Sequence, residues 1–469
     1  MADVLICYYS DCESIYQSIA KQLREMGNNV YLLNVFGRID FDKWGENYTL
    51  RKKYLHLIDD VNPDLVIDFN HAMPPELEAR ITCPICLWDA DAPRHWWNKK
   101  SIRDNINRYH FLGFKSCDRE LYEDFFKAKI KKFLRLPVGT VIQAQPKKVE
   151  HNIAFIGSTF LDLKGRFSGI LDKLGAHLPL FQEMFRSIEK DYFIEPDALY
   201  QELKKKPAFQ DISRNLFDSI FYDLHWCIMP GCDRLRSLSM ISDLGLTIYG
   251  NTWSFMMAIY PDVAACYDPR RVITIRENQD VYNASKIAVN LSHLQAKDYF
   301  SWRVPDIMAS NACLLTEYKK DFNELFSPYL SPDVMDAIVF KDRFELRQKA
   351  IALLNDEKLR LKCVQECQNA IEKCGRWEDK IRQISEFSGV KLDNAHQSGG
   401  RIRLVFPFVK PKEIIPEKKL KKSAVKRKLF FYSLLLFLSY VSGIGKCFKD
   451  KHRRKYVSKI IRNQESLNG

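Results

Sequence analysis

Apolar positions fall in short unbroken runs along the first 140 residues: 4–8 (V-L-I-C-Y), 29–35 (N-V-Y-L-L-N-V), 64–69 (D-L-V-I-D-F), 84–88 (P-I-C-L-W), 111–114 (F-L-G-F) and 132–139 (K-F-L-R-L-P-V-G). Runs of this length predict strands buried on both faces. Helical spacing predicts helices between them, over 12–26 with Gly27 closing the C-terminus, through 51–59, and near 118–126. Strands alternating with helices make a parallel sheet with both faces covered. Pro146 to Glu150 is a polar boundary, and I-A-F-I-G-S-T (153–159) opens a second series. There, 161–240 reads as helical and is expected to pack over the sheet. L-T-I-Y-G-N-T-W (246–253) is a strand and turn, 287–291 a buried strand, 304–310 a helix start and 313–316 another buried strand. Residues 343–388 read as one or two closing helices. Cys363, Cys367 and Cys374 lie there at helical spacing, as packing residues. The class is α/β, with two Rossmann-like domains, 1–148 and 149–390, facing a cleft.

Beyond 390 the pattern changes. Residues 391–428 carry Gly399-Gly400, prolines between 407 and 416, and K-K-L-K-K-S-A-V-K-R-K, which reads as a basic linker. The formal charge of +13 is uneven: residues 401–469 hold 19 Lys/Arg against 4 Asp/Glu, leaving 53 against 55 in residues 1–400. A neutral body argues against nucleic acid as a partner, since a nucleic-acid-binding fold carries its basic charge on the folded face. The run 429–445 has no charged residue and is flanked by Lys/Arg on both sides. As a helix its 17 residues would reach about 25 Å, short of the roughly 30 Å hydrocarbon core. An in-plane or shallow anchor on anionic lipid is the favoured reading of 429–469, with a membrane span and a buried core helix as alternatives. Contact with an anionic membrane surface is expected over 421–456.

Thirteen scattered cysteines, mostly inside apolar runs, read as small buried hydrophobes in a reducing compartment. Cys83-Pro84-Ile85-Cys86 enters a strand and has no second pair, so no metal or redox centre is expected. The chain opens on a strand without a basic-then-apolar leader, which predicts a cytoplasmic protein, peripheral or monotopic on the inner face of the membrane. Tyr8 to Asp11 stand where a dinucleotide fold has its glycines, so no dinucleotide cradle is expected there.

The chemistry concentrates in 282–326. The strand at 287–291 is followed by a polar loop with Ser292, His293 and Lys297, then a helix start bearing Arg303 and Asp306. The next strand ends at Glu317. Strand, loop and helix N-terminus make an anion site, and ligands of open α/β sheets bind at the carboxyl ends of strands. Asp306 taken alone is also an ordinary helix-capping residue.

Within that stretch S-W-R-V-P-D-I-M-A-S-N-A-C-L-L-T-E resembles the donor half of GT-B glycosyltransferases, in particular the CgeB-like (spore-maturation) group. That group's pattern is roughly S-x-R-x-x-E-x-x-A-x-G-x-x-L-L-T-D. Ser301, Arg303, Ala309, Leu314, Leu315 and Thr316 match. The group's Glu is Asp306 here, and its Gly is Ser310-Asn311. I-Y-G-x-x-W, L-P-V-G at 136–139 and W-D-A-D-A-P at 88–93 extend the likeness across about residues 1–385.

The resemblance implies a GT-B fold, whose last helix commonly crosses back to the first domain, with a nucleotide-sugar donor and no cofactor or metal. The Gly157-Ser158 turn would approach the donor pyrophosphate, Lys286 and Arg303 would face its phosphates, and Asp306 would bind the ribose, with Ser301 and Glu317 completing the donor site. His71, Asp89 and Asp91 are the candidates for the base that deprotonates the acceptor. Asp89-x-Asp91 also spells the D-x-D that holds Mn²⁺ in GT-A enzymes, and Trp88, Trp96 and Trp97 are candidates to stack on a sugar. The implied reaction moves a sugar onto a lipid-linked or cell-surface glycan, in polysaccharide or lipopolysaccharide-type biosynthesis. A soluble or protein acceptor, and an inactive scaffold in a glycan assembly complex, are the rival readings.

Overall fold

The computed structural model describes residues 1–406, except 11–13, 43–46, 90–92, 94–95, 162–165, 251–252, 254–255, 257–258, 271 and 394–399. The expected basic linker beyond 406 and the apolar run 429–445 lie outside the described residues. Residues 1–406 are one compact unit.

Strands β1 (Asp3–Tyr8), β2 (Asn29–Asn34), β3 (Ile39–Phe41), β4 (Tyr48–Leu50), β5 (Leu65–Phe69), β6 (Ile85–Trp88), β7 (Tyr109–Gly113) and β8 (Phe133–Arg135) form the first half. The second half holds β9 (His151–Ile156), β10 (Leu246–Tyr249), β11 (Ser285–Asn290), β12 (Cys313–Glu317) and β13 (Val339–Phe340), and β14 (Ile402–Leu404) follows. The first sheet runs β14-β2-β1-β5-β6-β7-β8 and the second β10-β9-β11-β12-β13, with the pairings in both parallel. This is the two-sheet α/β arrangement that the apolar runs predict. The strands are buried on both faces, as β1, β5, β6 and β7 show.

Three elements depart from expectation. An antiparallel hairpin, β3 with β4, stands before the expected helix at 51–59, which is itself a short 3-10 turn, Lys52–Leu57. Alternating I-D-F and Y-T-L are too short for their period to be read. The helices Pro196–Lys204 and Arg214–Tyr222 do not lie over the sheet. They bury Leu199, Leu203, Phe217 and Ile220 with Leu180, Met184 and Leu224 in a cluster of their own. Finally, part of the expected linker is a strand: β14 adds to β2, with Ile402 opposite Val30 and Leu404 opposite Leu32. A Cβ on Gly400 would come within 2.4 Å of the Asn28 carbonyl oxygen, so only glycine fits this approach to the sheet.

The two halves share one apolar core, which runs from Val4 and Ile6 through Ile153 and Phe155 to Trp377. The closing helix Trp377–Ser388 crosses back as expected. Trp377 packs edge-on to Trp88 at 5.8 Å, and Leu392 beyond it accepts a hydrogen bond from Asn28 Nδ2 at 2.6 Å. At the carboxyl ends of the strands Trp302 of the second half packs on Phe69 and Phe114 of the first, and Asp321 accepts from Arg135 at 2.9 Å.

Candidate functional site

The carboxyl ends of β9, β10, β11 and β12 converge. Strand β9 runs into Gly157, whose N–H donates to the Tyr249 carbonyl at 2.9 Å and whose own carbonyl accepts from Trp253 Nε1 at 2.7 Å. Gly250, at φ +140°, follows β10, and a Cβ there would lie 2.0 Å from the Gly157 carbonyl oxygen. Only glycine permits that approach.

Beside this turn lies Arg234, 2% exposed, from the helix Met229–Ser239. It donates to the Ser158 carbonyl at 2.7 Å and to the Leu291 carbonyl at 2.5 Å, and its buried Nε has no hydrogen-bond partner among the described residues. Arg303 donates to the same Leu291 carbonyl at 3.0 Å. Two guanidinium groups therefore meet on one oxygen. Burial and the charge of Arg303 hold the Arg234 pKa well below its ordinary value, with Glu317 opposing them. Glu317, at the end of β12, accepts from the Ser292 N–H at 3.0 Å and faces Lys319 at 3.8 Å. Burial raises its pKa, against the charge of Lys319.

A buried polar network holds the loop that carries Arg303. Asn290, 0% exposed, accepts from Ser301 Oγ at 2.5 Å and donates to Thr316 Oγ1 at 3.0 Å. Ser301 Oγ accepts in turn from the Arg303 N–H at 3.4 Å. The helix Arg303–Met308 is six residues long. So short a helix has little macrodipole, and the positive character here comes from guanidinium groups more than from a helix N-terminus.

The structure thus brings together Gly157, Ser158, Ser301, Arg303 and Glu317. Asp306 is adjacent but turned to the first half, accepting a hydrogen bond from the Thr140 hydroxyl. Burial pushes its carboxyl up to about 7, against that bond and the charge of Arg303. Lys286 is a correction. It sits near the start of β11, paired beside the Ser285–His151 register, while the site is at the far end, roughly 13 Å along a strand of this rise.

The candidate bases are corrected as well. His71 follows β5 in the left-handed region, φ 57°, but its ring is 0% exposed. Nδ1 lies 2.8 Å from the Trp97 carbonyl, and Nε2 lies 3.4 Å from both Glu78 and the Tyr109 hydroxyl, which also donates to Glu78. Burial opposes charging His71, but Glu78 and Asp68 outweigh it and raise the pKa, while burial pushes Asp68 up to about 7. Asp89, 1% exposed, is paired with Lys115 at 2.9 Å, and Lys115 also holds Asp118 at 3.2 Å. Both side chains are built into ion-pair clusters of the first half and away from open solvent. Asp91 lies outside the described residues. Trp88 and Trp96 are core residues, and only Trp97 is half-buried. Burial raises the thiols of Cys83 and Cys86, to about 11 and about 12, which leaves them unreactive.

Sequence reasoning missed Arg234 and Asn290. Arg234 lies four residues from both Pro230 and Leu238 on the buried face of its helix. An arginine at an apolar position was the available signal.

With this geometry in view, residues 232–386 match the family model described as Glycosyl transferase-like. The matched segment begins just before Arg234 and contains Arg303, Asp306 and Glu317. No curated protein matches the chain. Among solved structures the chain is similar to Anabaena HepE in complex with UDP-glucose, with 11% identity over 83% of this chain and 100% of that one and a TM-score of 0.47. It is similar to sucrose-phosphate synthase from Thermosynechococcus elongatus, with 9% identity, 82% and 98% coverage and a TM-score of 0.46. The β-glucosyltransferase of phage T4 follows at 12%, 83% and 100%, with a TM-score of 0.45. These are distant likenesses of fold.

Proposed function

We propose that the protein is a nucleotide-sugar-dependent GT-B glycosyltransferase of the CgeB-like group, whose donor diphosphate lies against Arg234 and Arg303 between the Gly157 turn and Glu317. The observation that carries this is the pair of guanidinium groups meeting on the Leu291 carbonyl at the carboxyl ends of β9 and β11. Two adjacent cations repel, and a diphosphate relieves that repulsion with charge-assisted hydrogen bonds. The same groups stabilise the charge that grows on the departing nucleoside diphosphate as the glycosidic bond to it breaks. Glu317 is the carboxylate within this site for hydroxyls of the donor, with Asp306 adjacent to it and turned toward Thr140. Cation chemistry comes from arginine in this reading, and activity is expected to survive chelation with EDTA.

The acceptor is a lipid-linked or cell-surface glycan, and the basic, apolar tail tethers the enzyme to the inner face of the membrane. The support is the charge asymmetry of the chain and the uncharged run 429–445. Among the described residues no helix is long and apolar enough to cross a membrane. An inactive scaffold is favoured by one observation, the burial of both His71 and Asp89. One experiment separates the readings: a screen of nucleoside diphosphates for thermal stabilisation, paired with hydrolysis of the corresponding nucleotide sugars. Stabilisation with hydrolysis supports the enzyme, stabilisation without it the scaffold, and no stabilisation by any nucleotide sinks both.

A further inference from the structure

The first half carries an aromatic surface that the donor site does not use. Phe36 follows β2 and Phe41 ends β3, and they are 43% and 45% exposed. Tyr9 lies between them, with ring centroids 5.0 Å from Phe36 and 6.5 Å from Phe41, and 4.8 Å from Trp97. Four rings from four separate segments thus form one patch on the carboxyl-end side of the first sheet, the side where Trp302 and Asp321 of the second half approach. Two phenylalanines at this exposure on adjoining elements make more apolar surface than scattered singles.

The place where the described chain ends gives the patch its occupant. Strand β14 runs parallel to β2, and the chain leaves it at Phe406. There the Arg38 guanidinium lies 5.2 Å from the Phe406 ring, and Arg38 Nη1 donates to the Phe36 carbonyl at 3.1 Å. The last described residue, Phe406, therefore lies beside Arg38, whose guanidinium also reaches the Phe36 carbonyl. Phe406 also packs against Tyr54 at 5.4 Å, in the turn that carries the exposed Lys52 and Lys53. Exposed aromatic rings and exposed lysines meet at one edge of the described fold, the edge where Phe406, its last described residue, lies. Aromatic rings are the side chains that favour the lipid interface, and lysines beside them favour anionic headgroups.

We infer that the Tyr9–Phe36–Phe41–Trp97 patch, with Lys52 and Lys53, is a second membrane contact, which seats in the interface of an anionic bilayer and turns the carboxyl-end side of the first sheet toward it. This rests on the membrane-proximal reading above and adds an orientation to it. A tail alone would tether the enzyme in any attitude, whereas a second contact on the folded body restricts it.

The test is hydrogen exchange of the full-length protein with vesicles of equimolar phosphatidylcholine and phosphatidylglycerol, and with phosphatidylcholine alone. Peptides covering 34–42 gain protection with the anionic vesicles. Phe36→Ser with Phe41→Ser loses that protection and lowers the vesicle partition coefficient on the order of tenfold. Phe36→Leu with Phe41→Leu largely retains both, and neither variant changes the nucleotide-induced thermal shift. Co-sedimentation with 34–42 unprotected overturns this inference while leaving the tether standing. Protection of 34–42 without vesicles, lost on removal of 407–469, means that the tail itself covers the patch and also overturns it. Absence of any co-sedimentation overturns the tether reading as well, and the nucleotide shift reads the donor site independently.

Discussion

Arg234 is nearly inaccessible to water, yet it donates to the Ser158 and Leu291 carbonyl oxygens rather than to a carboxylate. A buried cation so arranged is costly unless an anion completes it. Arg303→Ala removes one charge-assisted contact, worth about 1.5–3 kcal/mol, and is expected to weaken nucleoside diphosphate binding roughly tenfold to a hundredfold by titration calorimetry, with an unchanged fold. Arg234→Met is expected to abolish binding and to keep the melting temperature close to that of the parent, because it removes the repulsion along with the hydrogen bonds. Asp306 gives a pH signature. Its folded-state pKa, raised to about 7 from 3.8, means that the native state binds the extra proton between those values. This contribution to stability is therefore full below pH 4 and is lost as pH rises through 7. Asp306→Asn should flatten that part of the stability profile, measured by urea unfolding from pH 4 to 8, while Asp68 retains its own contribution. At the same scale, His71→Gln separates a packing role from a catalytic one. Loss of its contacts with Glu78 and Trp97 should lower the melting temperature by several degrees with turnover retained, whereas a general base would lose 10²–10⁴-fold in rate with the melting temperature unmoved.

At the scale of elements, β14 is where the chain after 400 belongs to the fold. Val405 and Phe406 are 8% and 3% exposed, and each buried apolar side chain contributes about 1.5–3 kcal/mol. A chain ending at 400 loses both side chains and uncovers the edge of β2, which then pairs with other molecules. A 1–406 chain is therefore expected to melt several degrees above a 1–400 chain and to stay monomeric in light scattering where the shorter one aggregates. Element by element, legibility followed the length of the apolar runs. Strands β1, β5, β6, β11 and β12 were readable because burial on both faces leaves few polar breaks. The helix over 118–126 was readable from its spacing. Strand β14 was not, because I-R-L is exposed along its length and sits between Gly400 and a proline-rich stretch. Within the site, Arg303 and Glu317 were legible from their positions after strands. Lys286, His71 and Asp89 were assigned by sequence neighbourhood, which does not say which end of a strand a residue occupies or which way its side chain turns. Arg234 showed itself only as an arginine at an apolar helix position, and its link to the site was not legible because its partner Leu291 is 57 residues away.

At the scale of the whole molecule, the proposed reading assigns donor chemistry to the neutral body and location to the strongly basic tail. The full-length protein should co-sediment with anionic vesicles more strongly than with neutral ones, and salt should weaken that binding without ending it, since apolar insertion is not screened. The 1–406 chain should bind far more weakly and still bind nucleotide. That last property holds the central claim, that the paired guanidinium groups at the ends of β9 and β11 are a diphosphate site. The most direct measurement is titration calorimetry of the parent chain, Arg234→Met and Arg303→Ala with UDP, GDP, CDP and ADP. The account predicts that at least one nucleoside diphosphate binds the parent and that both variants lose or sharply weaken that binding while remaining folded. Binding of equal strength in all three, or none by any nucleoside diphosphate in the parent, would contradict it.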